Sequence, residues 1–112
     1  MITTDEDGIW IIDNEARTLF ASARMGEILG ISAGELAGRH SFEYVFEEDA
    51  DAAQKLFDRK KAGEMNAFHF RLRRADGSPI WVDVQGTPMH GPEGDFLGIV
   101  GTFRVSSNGE TS

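Results

Sequence analysis

Phe68-His69-Phe70-Arg71-Leu72-Arg73-Arg74-Ala75-Asp76-Gly77-Ser78-Pro79-Ile80-Trp81-Val82-Asp83-Val84 consists of two alternating runs of apolar and polar residues joined at Asp76-Gly77. Asp-Gly is strong turn chemistry, because tight hairpin turns need positive φ angles. A period of two puts Phe68, Phe70 and Leu72 on one face of the first strand, with His69, Arg71 and Arg73 on the other. Beyond the turn, Ile80, Val82 and Val84 alternate with Trp81, Asp83 and Gln85 in the same way. The stretch therefore predicts a β-hairpin with one buried face.

Upstream, Gly8-Ile9-Trp10-Ile11-Ile12 is a β-rich run, Asp13-Asn14-Glu15-Ala16 a turn, and Arg17-Thr18-Leu19-Phe20-Ala21 a second strand. From Ser22 the period changes. Met25, Ile28 and Leu29 have the i, i+3, i+4 spacing of a helix, which Gly30 is placed to end. Ser32-Ala33-Gly34-Glu35 has the spacing of a capping box, and Gly38 follows the short helix it starts. Phe42 to Phe46 fits a single helical turn. The longest helix spans 49 to 62, with Ala53, Leu56 and Phe57 on its apolar face. Glu47, Glu48, Asp49 and Asp51 crowd its start and Arg59, Lys60 and Lys61 its end, an order that complements the helix macrodipole. Downstream of the hairpin, Met89 to Asp95 is turn chemistry and Phe96 to Val105 a final strand.

Strands at both ends of a helical middle predict an α+β fold with an antiparallel sheet covered by helices on one face. With 112 residues the chain makes one domain, spanning 1–105, and the polar residues 106–112 read as a disordered tail. Eleven Lys and Arg against nineteen Asp and Glu give a net charge of −8, which argues against nucleic acid or an anionic membrane as partner. The chain lacks cysteine, which excludes disulfides, thiolate metal sites and a cysteine nucleophile. Its apolar runs are too short to span a membrane, and the acidic start Met1 to Asp7 does not resemble a signal peptide, so a cytoplasmic location is expected. Catalytic signatures are missing: there is no phosphate-binding glycine loop, nucleophile elbow or His-Glu metal helix. His40, His69 and His90 have no metal-ligand spacing, and the acidic cluster at 47–51 lacks EF-hand spacing. The chain is accordingly read as non-enzymatic.

Four pieces in order carry a family resemblance: Gly8 to Asp13, Met25 to Gly30 with Glu35 to Arg39, Phe70 to Val82, and Gly98 to Phe103. Together they resemble the PAS domain, a sensory module. The resemblance implies a five-stranded antiparallel sheet in order 2-1-5-4-3. It also implies a sensory and dimerisation module of a bacterial or archaeal signal-transduction protein, most often a sensor histidine kinase of a two-component phosphorelay. Such a module relays its signal through the sheet to an output domain of the same chain. Two departures stand out: Arg104-Val105-Ser106-Ser107 replaces the usual junction to the output helix, and only seven residues precede Gly8. The alternative reading is a small-molecule or flavin-binding domain, with its cavity between helices and sheet. Phe20, Phe42, Phe57, Phe68 and Phe70 are its candidate lining, although a domain of this size also needs such residues simply to fill its core, each burial contributing about 1.5 to 3 kcal/mol. Haem is disfavoured because residues 49–62 contain no histidine, and a cysteinyl-flavin because there is no cysteine. The cofactor is otherwise open. Trp81, Arg71, Arg73 and Phe103 are the candidate partner surface on the far sheet face, suited to a homodimer.

Overall fold

The computed structural model describes residues 7–64 and 67–106. The residues expected to form a disordered tail lie outside this range from 107 onward, as do residues 1–6 of the acidic start. The first strand, β1 (Gly8–Asp13), pairs antiparallel with β2 (Thr18–Ala21). The turn between them is organised by Asp13, whose carboxylate accepts from the amides of Glu15 and Arg17.

Helix α1 (Ala23–Leu29) starts where Ser22 Oγ accepts from the Met25 N–H at 3.2 Å, and it stops at Gly30. Helix α2 (Ala33–Leu36) is capped by Ser32 in the same way. The Glu35 carboxylate of the expected capping box takes the Ser32 hydroxyl instead of an amide. A 3₁₀ turn over Ser41–Tyr44 occupies the place of the expected helical turn, with His40 Nδ1 accepting from the Phe42 amide as its cap. A second 3₁₀ turn, Glu47–Asp49, leads into helix α3 (Ala50–Lys61).

Strand β3 (Phe68–Arg73) and strand β4 (Pro79–His90) form the expected hairpin, with Phe70 opposite Val82 and Arg71 opposite Trp81. Its connection is longer than a two-residue turn. Arg74 donates its amide to Ser78 O, Gly77 takes φ 91°, and Asp76 instead caps the loop by accepting from the Ser78 amide and hydroxyl. Those hydrogen bonds hold the Asp76 carboxyl below the usual aspartate range.

Met89 and His90, expected in a turn, extend β4, and the turn itself begins at Gly91. Pro88 is accommodated because the pairing with β3 ends at Val84, and beyond that point, among the described residues, β4 pairs only with β5 (Phe96–Val105). A residue without an N–H fits the strand's open side. The sheet order is β2-β1-β5-β4-β3. Met25, Ile28, Leu29 and Leu36 from the helices pack against Trp10, Leu72, Ile80, Val82 and Val84 from the strands to form the core.

Candidate functional site: a cavity between helix and sheet

Beside that core, α3 does not close down on the sheet. The apolar face foreseen for it, Ala53, Leu56 and Phe57, roofs a cavity of about 120 Å³ together with Ser41 and Phe42 of the first 3₁₀ turn and Val45 just after it. The floor is made by Trp10 and Ile12 of β1, Phe68, Phe70 and Leu72 of β3, Val84 and Gly86 of β4, and Ile99, Gly101 and Phe103 of β5. Gly86 and Gly101 let the Lys60 stem and the Phe103 ring lie close over the floor. A Cβ on Gly101 would stand 2.7 Å from the Phe103 ring.

The walls are held by aromatic and polar contacts. Trp10, 4% exposed, donates its indole N–H to Thr18 Oγ1 at 2.9 Å and packs edge-on to Tyr44 and tilted against Phe103. Burial pushes the Tyr44 phenol above the usual tyrosine range, with the Arg39 charge pulling the other way. Phe57 meets Phe96 edge to face at 5.7 Å, and Phe68 meets Phe70 at 6.4 Å.

Lys60 is the charged group of this wall, and its residue is 4% exposed. Its stem lies over Gly86, where an added Cβ would come within 3.2 Å of Lys60 Cε, and its Nζ sits 5.6 Å from the centre of the Phe68 ring. Burial lowers the ammonium's pKa from the usual lysine range, and the Glu64 charge opposes the shift. Sequence reasoning assigned Lys60 to the charged end of the helix. Yet positions 53, 56, 57 and 60 have the i, i+3, i+4, i+7 spacing of one helix face, and that spacing places Lys60 in the wall.

Of the candidate lining residues, the structure brings Phe42, Phe57, Phe68 and Phe70 together around the cavity, whereas Phe20 is elsewhere. Phe20 pairs with Ile11 on the far sheet face and is 50% exposed. The cause is a register shift between β1 and β2: Thr18 lies opposite Ile12 and Phe20 opposite Ile11, so Leu19 is an extra residue that reverses the alternation.

The candidate partner surface is corrected in three of its four members. Phe103 pairs with Val84 on the inward face and lines the cavity. Arg71 and Arg73 alternate outward as expected, but β3 is an edge strand and both side chains reach round it to the helical layer. Arg71 donates through Nε and Nη2 to Asp49 at 2.9 and 2.7 Å, reaches Glu48 at 3.3 Å and lies over the Phe46 ring. The hydrogen bonds to Asp49 raise its pKa further above the usual value. Arg73 donates to the Glu43 carbonyl. Trp81 does lie on the far face, where its ring stacks on His69 at 4.9 Å, and His69 Nδ1 is 2.9 Å from Asp83 Oδ1.

That far face presents Ile9, Ile11, Val100 and Trp81, half-buried, along with the exposed Phe20. Among the described residues no group of three or more His, Cys, Asp or Glu is arranged to hold a metal ion, and no helix is long and apolar enough to cross a membrane.

Comparison with known proteins agrees with this architecture. The domain from Colwellia psychrerythraea described as a PAS domain superposes with a TM-score of 0.80 at 16% identity, covering 91% of this chain and 87% of that one. The PAS-B domain of Drosophila melanogaster Cycle, solved with bound ethylene glycol, superposes with a TM-score of 0.78 at 22% identity, covering 88% and 99%. In sequence, the chain is 30% identical over 94 residues to the uncharacterized protein y4lL of Sinorhizobium fredii, a match that spans 83% of this chain and 11% of that protein's length. The family model for the PAS fold matches residues 1–105, and with the strand order and the helix-roofed cavity this places the chain in the PAS family of sensory modules.

Proposed function

We propose that this PAS domain is the sensory and dimerisation module of a prokaryotic signal-transduction protein, with a sensor histidine kinase as host. It relays a change in its sheet to an output domain of the same chain. The observation that carries this reading is the layering of the central strands. β4 and β5 have the cavity and α3 on one side and, on the other, the face that bears Trp81 and Val100. A change beneath α3 therefore acts on the same strands that present a surface for a second copy. The small share of the Sinorhizobium protein that the chain spans supports a module within a longer host.

Native mass spectrometry of the purified domain tests the reading. A dimer supports it, and a monomer that persists at several hundred micromolar removes the dimerisation role. In the full-length host, ATP-dependent phosphorylation on histidine checks the kinase assignment, and its absence removes that assignment.

The cavity favours a second, compatible reading, in which the domain binds a small molecule there. Its volume of about 120 Å³ compares with an engineered apolar cavity of about 150 Å³ that admits benzene. Ethylene glycol in the Cycle domain is a precedent for a small occupant. Added mass in the same spectra that is lost on denaturation supports this reading, and its consistent absence counts against a resident ligand.

A further inference from the structure

The cavity wall contains one side chain whose bonding the protein leaves incomplete. Ser41 opens the first 3₁₀ turn, and its amide donates to the Ala16 carbonyl at 2.8 Å. That bond helps hold the residue in the lining, where it is 8% exposed. Its hydroxyl can donate one hydrogen bond and accept two, yet it makes none among the described residues. Nor is the hydroxyl sealed in, since the enclosed side-chain atom without a partner, among the described residues, is Arg74 Nε. An open hydroxyl on a residue this buried borders the space that the residue lines, which is the cavity. The polar groups of Trp10 and Lys60 are already engaged: the indole N–H with Thr18, and the lysine with the Phe68 ring and an interaction of its own. A lone hydroxyl among apolar walls is a poor seat for water, which needs two to four polar partners.

We propose that Ser41 is the polar anchor of this cavity and makes it selective for a small neutral molecule that bears a single hydroxyl, such as a phenol. The ligand's apolar body rests among Phe57, Phe68, Phe70 and Trp10 while its hydroxyl pairs with that of Ser41. The inference rests on the ligand-binding reading above and narrows it to a chemical class. The volume limits the body to about one six-membered ring. A bare hydrocarbon leaves the serine unpaired, and a charged group loses its hydration against aromatic walls. A single neutral hydroxyl avoids both costs.

The test uses phenol and toluene, which exchange a hydroxyl for a methyl group on the same ring, titrated into ¹⁵N-labelled domain. The Trp10 indole N–H signal reports on the cavity, and that of Trp81, on the far sheet face, serves as internal control. An apolar cavity without an anchor favours toluene, because phenol gives up its hydration on entry. The expected result is a shift confined to Trp10, with phenol binding at least as tightly as toluene. In Ser41→Ala, phenol weakens relative to toluene by about fivefold or more, the worth of one neutral hydrogen bond, and the thermal midpoint is unchanged. Toluene binding more tightly than phenol in the unmutated domain overturns the hydroxyl preference and leaves the ligand-binding reading standing. A phenol preference that survives Ser41→Ala overturns the role of Ser41, as does a midpoint lowered by several degrees, which would show that the protein itself uses the hydroxyl. If neither probe moves Trp10, the proposal and the ligand-binding reading fall together. The phenol-to-toluene ratio in the unmutated domain decides the preference even if the variant does not fold.

Discussion

Lys60 shows how a residue can satisfy two sequence rules with only one of them decisive. Its place near the end of α3 suits the helix dipole, while its spacing from Ala53, Leu56 and Phe57 sets it inward, where it is 4% exposed. The consequence is a pH dependence of known sign. Burial lowers the pKa in the folded state, so between that value and the ordinary 10.5 the unfolded chain holds more protons and stability rises with pH. Thermal melts of the unmutated domain and Lys60→Met from pH 8 to pH 10.5 are expected to show the lysine protein gaining relative to the methionine variant. A constant difference would contradict a buried amine. Gly98 is constrained more sharply: its φ is 151°, and a Cβ there would come within 2.1 Å of the Ile12 carbonyl oxygen. Gly98→Ala is expected to cost about 2 to 3 kcal/mol in urea unfolding. Gly34→Ala, in α2 with nothing within 4 Å, should leave stability unchanged or raise it by about 0.5 to 1 kcal/mol.

Among the elements, the most legible in sequence were those whose period spans several residues. The alternation of Phe68, Phe70 and Leu72 with His69, Arg71 and Arg73 identified β3, and the spacing of Met25, Ile28 and Leu29 identified α1. Less legible were features set by neighbours in space. The length of β4 was masked because Met89 and His90 run straight into the Gly- and Pro-rich turn that follows, with no change of composition at the strand's end. Phe20 was misplaced because an extra residue in β2 reverses a face without altering composition. The inward face of β5, and with it Phe103, depended on a register with β4 that single-strand alternation does not contain. Arg71 was misplaced because the destination of its side chain, Asp49, belongs to another element. That contact ties the edge strand to the entry of α3, and both partners are only partly exposed. Arg71→Met is expected to lower the urea midpoint modestly and to speed amide exchange in the first turn of α3 more than in α1. Equal exchange in both helices would show that the ion pair does not anchor α3.

For the molecule as a whole, the candidate cavity was partly legible, since four of five proposed lining residues surround it. Of the outward surface only Trp81 was legible, because that face is made by β1, β2, β4 and β5 together. Phe20 lies beside Ile11 there and is half exposed. Phe20→Asp is expected to convert a dimer to a monomer in sedimentation velocity, at a stability cost below about 0.5 kcal/mol because the site is exposed. A dimer that persists would move the contact elsewhere on the molecule. The overhang of β4 beyond β3 has a further consequence. From Gln85 to His90 that strand pairs, among the described residues, with β5 alone, and an edge of this kind is able to recruit a strand from another molecule. Pro88 removes a donor from the middle of this row. At the opposite margin β2 is only four residues long and irregular, a poor template for the same reason. Both borders of the sheet are thus poor templates for runaway cross-β stacking, which suits the proposed use of its flat face for a partner, and Pro88→Val would weaken the defence at one of them.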